Sequence, residues 1–231
     1  MKKIFTAVIF AAASLMIGAE LKMEGDFIRF SPQGRMGILP YNQGMITFHE
    51  GKKASPASFY LDMETKHPKR YFGQRTTAVS KPTFQKVNSN EWLAGNKIPV
   101  NAKENINLSM KIKMTPLNTL DVEYEWDAPK QPSDIISRGI TINYKTFDRK
   151  DAAIVVSGKK TLLPNKKANG ILANKQESPD VILFPGTPME VKFALEGKYT
   201  IYYYTNVNRL TIIRVIALNQ ENQLRFSIIP K

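Results

Sequence analysis

Apolar and polar residues alternate with a period of two along much of this chain. The clearest case is Ile106, Leu108, Met110, Ile112 and Met114, with Asn107, Ser109, Lys111 and Lys113 between them. Strict alternation of this length describes a strand with one face in a core and the other in water. Thr115-Pro116-Leu117-Asn118 interrupts it with turn residues. Leu120, Val122, Tyr124 and Trp126 then resume the apolar set against Asp121, Glu123, Glu125 and Asp127. Both runs are apolar at even positions, so an antiparallel hairpin puts both sets on one face. A register opposing Lys113 to Asp121 and Lys111 to Glu123 also satisfies the outer face.

The same test predicts strands at Asp26–Phe30, Arg35–Leu39, Met45–His49, Ser58–Asp62, Thr83–Val87, Gly139–Tyr144, Ala153–Ser157 and Val181–Phe184. The C-terminal quarter adds Met189–Leu195, Tyr199–Thr205, Leu210–Ala217 and Gln223–Ile229. Turn signals such as Ser31-Pro32-Gln33-Gly34, Pro185-Gly186-Thr187-Pro188 and Glu196-Gly197 separate them. Beyond the N-terminus, no stretch of a dozen residues shows helical spacing of apolar positions. The pattern predicts an all-β fold, a two-layer antiparallel sandwich of jelly-roll or supersandwich type. Ala128-Pro129-Lys130-Gln131-Pro132 reads as a crossing between sheets inside one domain spanning 20–231, or alternatively as a boundary. The crossing is preferred, because either half alone leaves exposed sheet edges.

The N-terminus departs from this pattern. Lys2 and Lys3 precede an apolar run from Ile4 to Ile17, followed by the small residues Gly18 and Ala19. The run is shorter than the roughly 20 residues of a spanning helix. Residues 1–19 therefore read as a signal peptide, and the remainder as an exported, soluble protein, periplasmic or extracellular.

Composition narrows the chemistry. At 231 residues with 42% hydrophobic and 23% charged residues the chain can bury a core without staples, and it has no cysteine to make any. That removes disulfides, thiolate nucleophiles and cysteine–zinc sites. The formal charge is +13, falling to +11 once Lys2 and Lys3 leave with the signal peptide. In an exported protein this field suits acidic polysaccharides, anionic lipid headgroups or a negatively charged cell wall, and not nucleic acid.

Catalytic signatures are sparse. His49 and His67 are the only histidines, and neither stands in a metal-binding spacing. No G-x-S-x-G elbow or phosphate loop is present, and no metal or cofactor is expected. Asp121, Glu123, Glu125 and Asp127 face one way at about 6.8 Å intervals. Two such acids suit glycoside hydrolysis, which needs a pair about 5 to 9.5 Å apart. The same row also describes a solvated sheet face opposite lysines, which is the preferred reading.

Between Thr65 and Asn90 the chain is basic without any acid. Lys69, Arg70 and Arg75 here surround Tyr71 and Phe72. Guanidinium forks grip carboxylate or sulfate, and a ring stacks on a sugar's apolar face, so Lys69, Arg70, Tyr71 and Arg75 are candidate acidic-glycan contacts. In Lys198-Tyr199-Thr200-Ile201-Tyr202-Tyr203-Tyr204-Thr205, alternation assigns Tyr199, Ile201 and Tyr203 inward. Tyr202 and Tyr204 are left outward as a sugar platform. Trp92 is a further candidate ring, whereas Trp126 belongs to an apolar face. The second basic stretch, Lys159 to Lys175, holds five lysines and no aromatic, and reads as a mobile loop.

Three segments carry a family resemblance. They are Arg29-Phe30-Ser31-Pro32-Gln33-Gly34-Arg35, Tyr124-Glu125-Trp126-Asp127-Ala128-Pro129, and the hairpin-like Val155-Val156-Ser157-Gly158-Lys159-Lys160-Thr161-Leu162-Leu163-Pro164. Their order resembles β-sandwich modules found in or beside secreted carbohydrate-active enzymes. The resemblance implies a glycan ligand; it carries over no catalytic residue, because the histidine motifs of sugar mutarotases and jelly-roll lyases are missing. The expected function is thus carbohydrate binding, with acidic polysaccharides preferred. Alternatives are a polysaccharide lyase or glycoside hydrolase on the same fold, or an assembly component of the cell envelope with a protein partner.

Overall fold

The computed structural model describes residues 22–24, 27–29, 36–39, 45–50, 53–65, 70–74, 83–99, 104–116, 119–127, 135–145, 152–206, 210–219 and 221–230. The expected signal peptide, Lys69, Arg75, His67 and residues 128–132 lie outside them. The N-terminal half runs β1 (Lys22–Glu24), β2 (Phe27–Arg29), β3 (Met36–Leu39), β4 (Met45–Glu50), β5 (Lys53–Thr65), β6 (Arg70–Gly73), β7 (Thr83–Asn88), β8 (Glu91–Pro99), β9 (Asn105–Met114) and β10 (Leu120–Trp126). It is followed by β11 (Ile135–Lys145), β12 (Ala153–Val156), β13 (Lys159–Leu162), β14 (Ala168–Glu177) and β15 (Asp180–Leu183). The last strands are β16 (Val191–Leu195), β17 (Lys198–Thr205), β18 (Leu210–Ala217) and β19 (Gln223–Pro230). No helix among the described residues is long and apolar enough to cross a membrane.

These strands make two antiparallel sheets packed face to face. The ten-stranded sheet has the order β1-β2-β3-β4-β5-β11-β18-β17-β14, with β6 continuing along the free part of β5. The nine-stranded sheet has the order β13-β12-β15-β16-β19-β10-β9-β8-β7. In each, an N-terminal meander is completed by strands from the C-terminal half. β10 and β11 belong to different sheets, so the chain changes layer between residues 126 and 135.

The predicted hairpin forms as β9 and β10, with Asp121 opposite Lys113 and Glu123 opposite Lys111. Every second residue of β9 is buried, from Ile106 to Met114. The inner faces meet through aromatic rings. Phe59 of β5 stands edge-on to Phe193 of β16 (5.2 Å, 84°) and to Phe226 of β19 (5.6 Å, 73°). Such edge-to-face pairs add to the stabilisation that apolar burial already supplies.

Polar groups are built into this core as well, Gln74 among them. Gln74, fully buried after β6, accepts the Leu61 N–H at 2.8 Å and the Tyr124 hydroxyl at 2.8 Å on its Oε1. It thereby ties the ten-stranded sheet to the nine-stranded one. Burial raises the Tyr124 phenol far above its usual pKa, and the Gln74 hydrogen bond only partly opposes this.

Two local features differ from expectation. The stretch from Lys159 to Lys175, expected as a mobile loop, instead forms β13 and most of β14. Ser157 and Gly158, both at positive φ (46° and 81°), close the β12–β13 hairpin as a two-residue turn of the type whose twist matches its strands. β14 is held by backbone pairing to β17 through two register shifts, so its side chains need no alternation. β8 is absent from the expected strands, because Ala94, Gly95 and Asn96 carry little strand propensity.

Candidate functional site

The outer face of the ten-stranded sheet can be read strand by strand. On β17, Tyr199 and Ile201 are buried and Tyr203 packs against the core, while Tyr202 is half-buried and Tyr204 is 39% exposed. The expected parity of this strand is what the structure shows. On β18, Ile213 and Val215 face inward, leaving Leu210, Ile212, Arg214 and Ile216 half-buried on the outside. Cross-strand register then lays out rows on this face. One runs Ile171, Tyr202, Arg214, Thr141, Tyr60 from β14 to β5. The next runs Asn169, Tyr204, Ile212, Asn143, Ser58. Tyr202 and Tyr204 thus sit among aliphatic side chains at the β14 end of the rows, whereas Thr141 and Tyr60 further along the first row are buried.

Arg214 anchors the centre of this face. Its guanidinium reaches Asp62 Oδ2 and Glu64 Oε2, each at 3.6 Å, and its side chain is only 11% exposed. The Thr141 hydroxyl donates to Asp62 at 3.0 Å and the Ser137 hydroxyl to Glu64 at 3.4 Å. No local sequence pattern marks this cluster. Its members sit on β5, β11 and β18, and only the finished sheet makes them neighbours.

Of the expected basic stretch, the strand that carries Arg70 and Tyr71 joins the same sheet. Arg70 and Tyr71 lie on β6, with Tyr71 in register with Glu64. Four strand spacings, about 19 Å, separate β6 from β17. Trp92 does not join them. It occupies the inner face of β8, opposite Ile112, and is 6% exposed, so its ring fills the core of the sandwich and offers no face to a ligand.

The outer face of the nine-stranded sheet has different chemistry. Its acidic row is engaged by hydrogen bonds throughout. Asp121 accepts from Ser227 (2.7 Å), and Glu123 from Arg225 Nε (2.7 Å) and Gln223 (2.5 Å). Glu125 accepts from Gln223 (3.2 Å), and Asp127 from the side-chain and backbone N–H groups of Asn107 (2.6 and 3.0 Å). Hydrogen bonding and charge attraction from Glu123 raise the Arg225 pKa. Lys111 turns instead to Glu91 at 3.3 Å. A shallow groove of about 490 Å³ runs beside this row, with Gly95 and Ser109 among its lining residues and Lys97, Asn107 and Asp127 further along. It is a hydrogen-bonding surface without an exposed aromatic ring.

Among the described residues no group of three or more histidines, aspartates or glutamates is placed to hold a metal ion. No protein-family model matches the chain, and no curated protein matches it either.

Proposed function

We propose that this chain is an exported carbohydrate-binding protein whose ligand lies along the outer face of the ten-stranded sheet. The observation that carries the reading is the pairing of Tyr204 and Tyr202 on that face. They alternate along one strand at a spacing of about 6.8 Å, with Ile212 and Thr200 beside them. A sugar ring presents an apolar face to such a side chain and keeps its hydroxyls in water. Arg214 is committed to Asp62 and Glu64, so it stiffens the platform and leaves the ligand's charge to other groups. Arg70 on β6, with Lys69 and Arg75 close to it in the sequence, is assigned that role for acidic glycans.

The test is retention on a panel of neutral and acidic polysaccharides at low and high salt. Retention on acidic glycans that survives high salt is expected, and Tyr204→Ala should weaken it roughly tenfold without moving the unfolding midpoint. Arg70→Ala should weaken the acidic ligands and spare the neutral ones. Retention that disappears with salt and ignores Tyr204→Ala would leave only the net charge at work and remove the platform.

A further inference from the structure

The side of the sandwich opposite β1 and β7 is made by one continuous stretch of chain. β13 ends the nine-stranded sheet and β14 ends the ten-stranded one, and residues 163–167 connect them directly. Lys159, Lys160, Lys166, Lys167 and Lys175 are all exposed along it, with no acid between the first and the last. None of the five forms an ion pair with a described residue, whereas Lys111, Lys192 and Lys198 each do. The same stretch carries Leu162 at 66% exposure on β13, while Ile171, 70% exposed, turns to the outer face of the ten-stranded sheet in register with Tyr202.

We infer that this side of the molecule docks on an anionic lipid surface. Three occupants fit the charge or an exposed apolar tip, and one fits the charge and Leu162 together. An acidic polysaccharide would use the lysines, yet it leaves Leu162 bare. A second copy pairing along β14 would cover Ile171 but bring two sets of five lysines together. That edge is also interrupted by register shifts at Ile171/Ala173 and Ala173/Gln176, and Lys175 holds a positive φ of 51°. Bulges and lysines of this kind obstruct strand addition. At a bilayer, ammonium groups meet phosphates while Leu162 enters the boundary below them.

The experiment is co-sedimentation with vesicles rich in phosphatidylglycerol and with vesicles of pure phosphatidylcholine. It uses protein purified from an exporting cell, with the same N-terminus in every variant. Binding to the anionic vesicles only is expected. Replacing Lys159, Lys160, Lys166 and Lys167 by Gln should abolish it. Leu162→Ser should weaken it roughly tenfold in high salt, with an unchanged unfolding midpoint and unchanged polysaccharide retention. Tyr204→Ala should leave vesicle binding intact, which separates this surface from the glycan platform. The inference is overturned by equal binding to both vesicle types, by failure to bind either, or by indifference to Leu162→Ser. A dimer in light scattering that Leu162→Ser or Ile171→Ser dissolves would overturn it in favour of a second copy.

Discussion

On the nine-stranded sheet, Glu123 takes its bonds from an Arg225 side chain that is 53% exposed. On the ten-stranded sheet, Arg214 sits at 3.6 Å from both Asp62 and Glu64 with 11% of its side chain in contact with solvent. Both are arginine–carboxylate clusters on an outward sheet face, laid down by the same antiparallel alternation. They differ in what surrounds them. Arg225 has Ser227, Glu123 and Lys111 nearby in an open depression. Arg214 stands among Tyr202, Tyr60, Ile212 and Ile216, whose bulk excludes water. Sheet geometry therefore does not set the value of an ion pair; its neighbours do, because they decide how far each charge is desolvated.

The largest expected effect tests that difference directly. Arg214→Met leaves two carboxylates in a site with little water and should lower the unfolding free energy by about 3 kcal/mol in urea denaturation. Adding Asp62→Asn and Glu64→Gln should restore most of the loss. A cost for Arg214→Met no greater than for an ordinary surface change would erase the contrast between the faces.

The interior supplies the next effect, which neither face should alter. Burial raises the Tyr124 and Tyr199 phenols, and for Tyr199 the charge of Glu196 adds to it. A raised folded-state pKa contributes stability that is intact below the unfolded value of about 10 and is lost as pH climbs above it. Above that pH, stability should fall by up to about 1.4 kcal/mol per pH unit for each phenol. Tyr124→Phe should remove one share of that slope, as measured by urea midpoints across the alkaline range.

A smaller effect concerns the aliphatic surroundings. Ile212→Thr with Ile216→Thr should reduce binding of a hydrophobic dye to the native protein and change stability by about 0.5 kcal/mol or less. Leu93→Thr on the other sheet should leave dye binding alone. The smallest belongs to Arg225→Met, whose unfolding midpoint should coincide with that of the parent at low and at high salt.

Alternation makes part of this legible in advance. β9 and β10 alternate cleanly because one face is buried and the other is wet, so even their register follows from charge pairing across the strands. The same logic separates Tyr202 and Tyr204 from Tyr199, Ile201 and Tyr203, which take the inner side of β17. It fails where a strand is defined by something other than a buried stripe. β14 buries only Ala173 along its length and exists through backbone bonds to β17. Trp92 is ambiguous as long as β8 goes unrecognised, and once that strand exists its ring must point with Ala94 and Ile98 into the core. The Arg214 cluster is beyond any local pattern, since its three charges and their hydroxyl partners meet only across β5, β11 and β18.

The order of strands also has a bearing on when this protein can become folded. β18 fills the gap between β11 and β17, and β19 fills the gap between β10 and β16. Each sheet stays split into two unjoined pieces until the final two strands of the chain are available. Ring closures of that length are slow and reward the chain only at their completion. A nascent chain is thus held open by its own connectivity until β18 and β19 have been made.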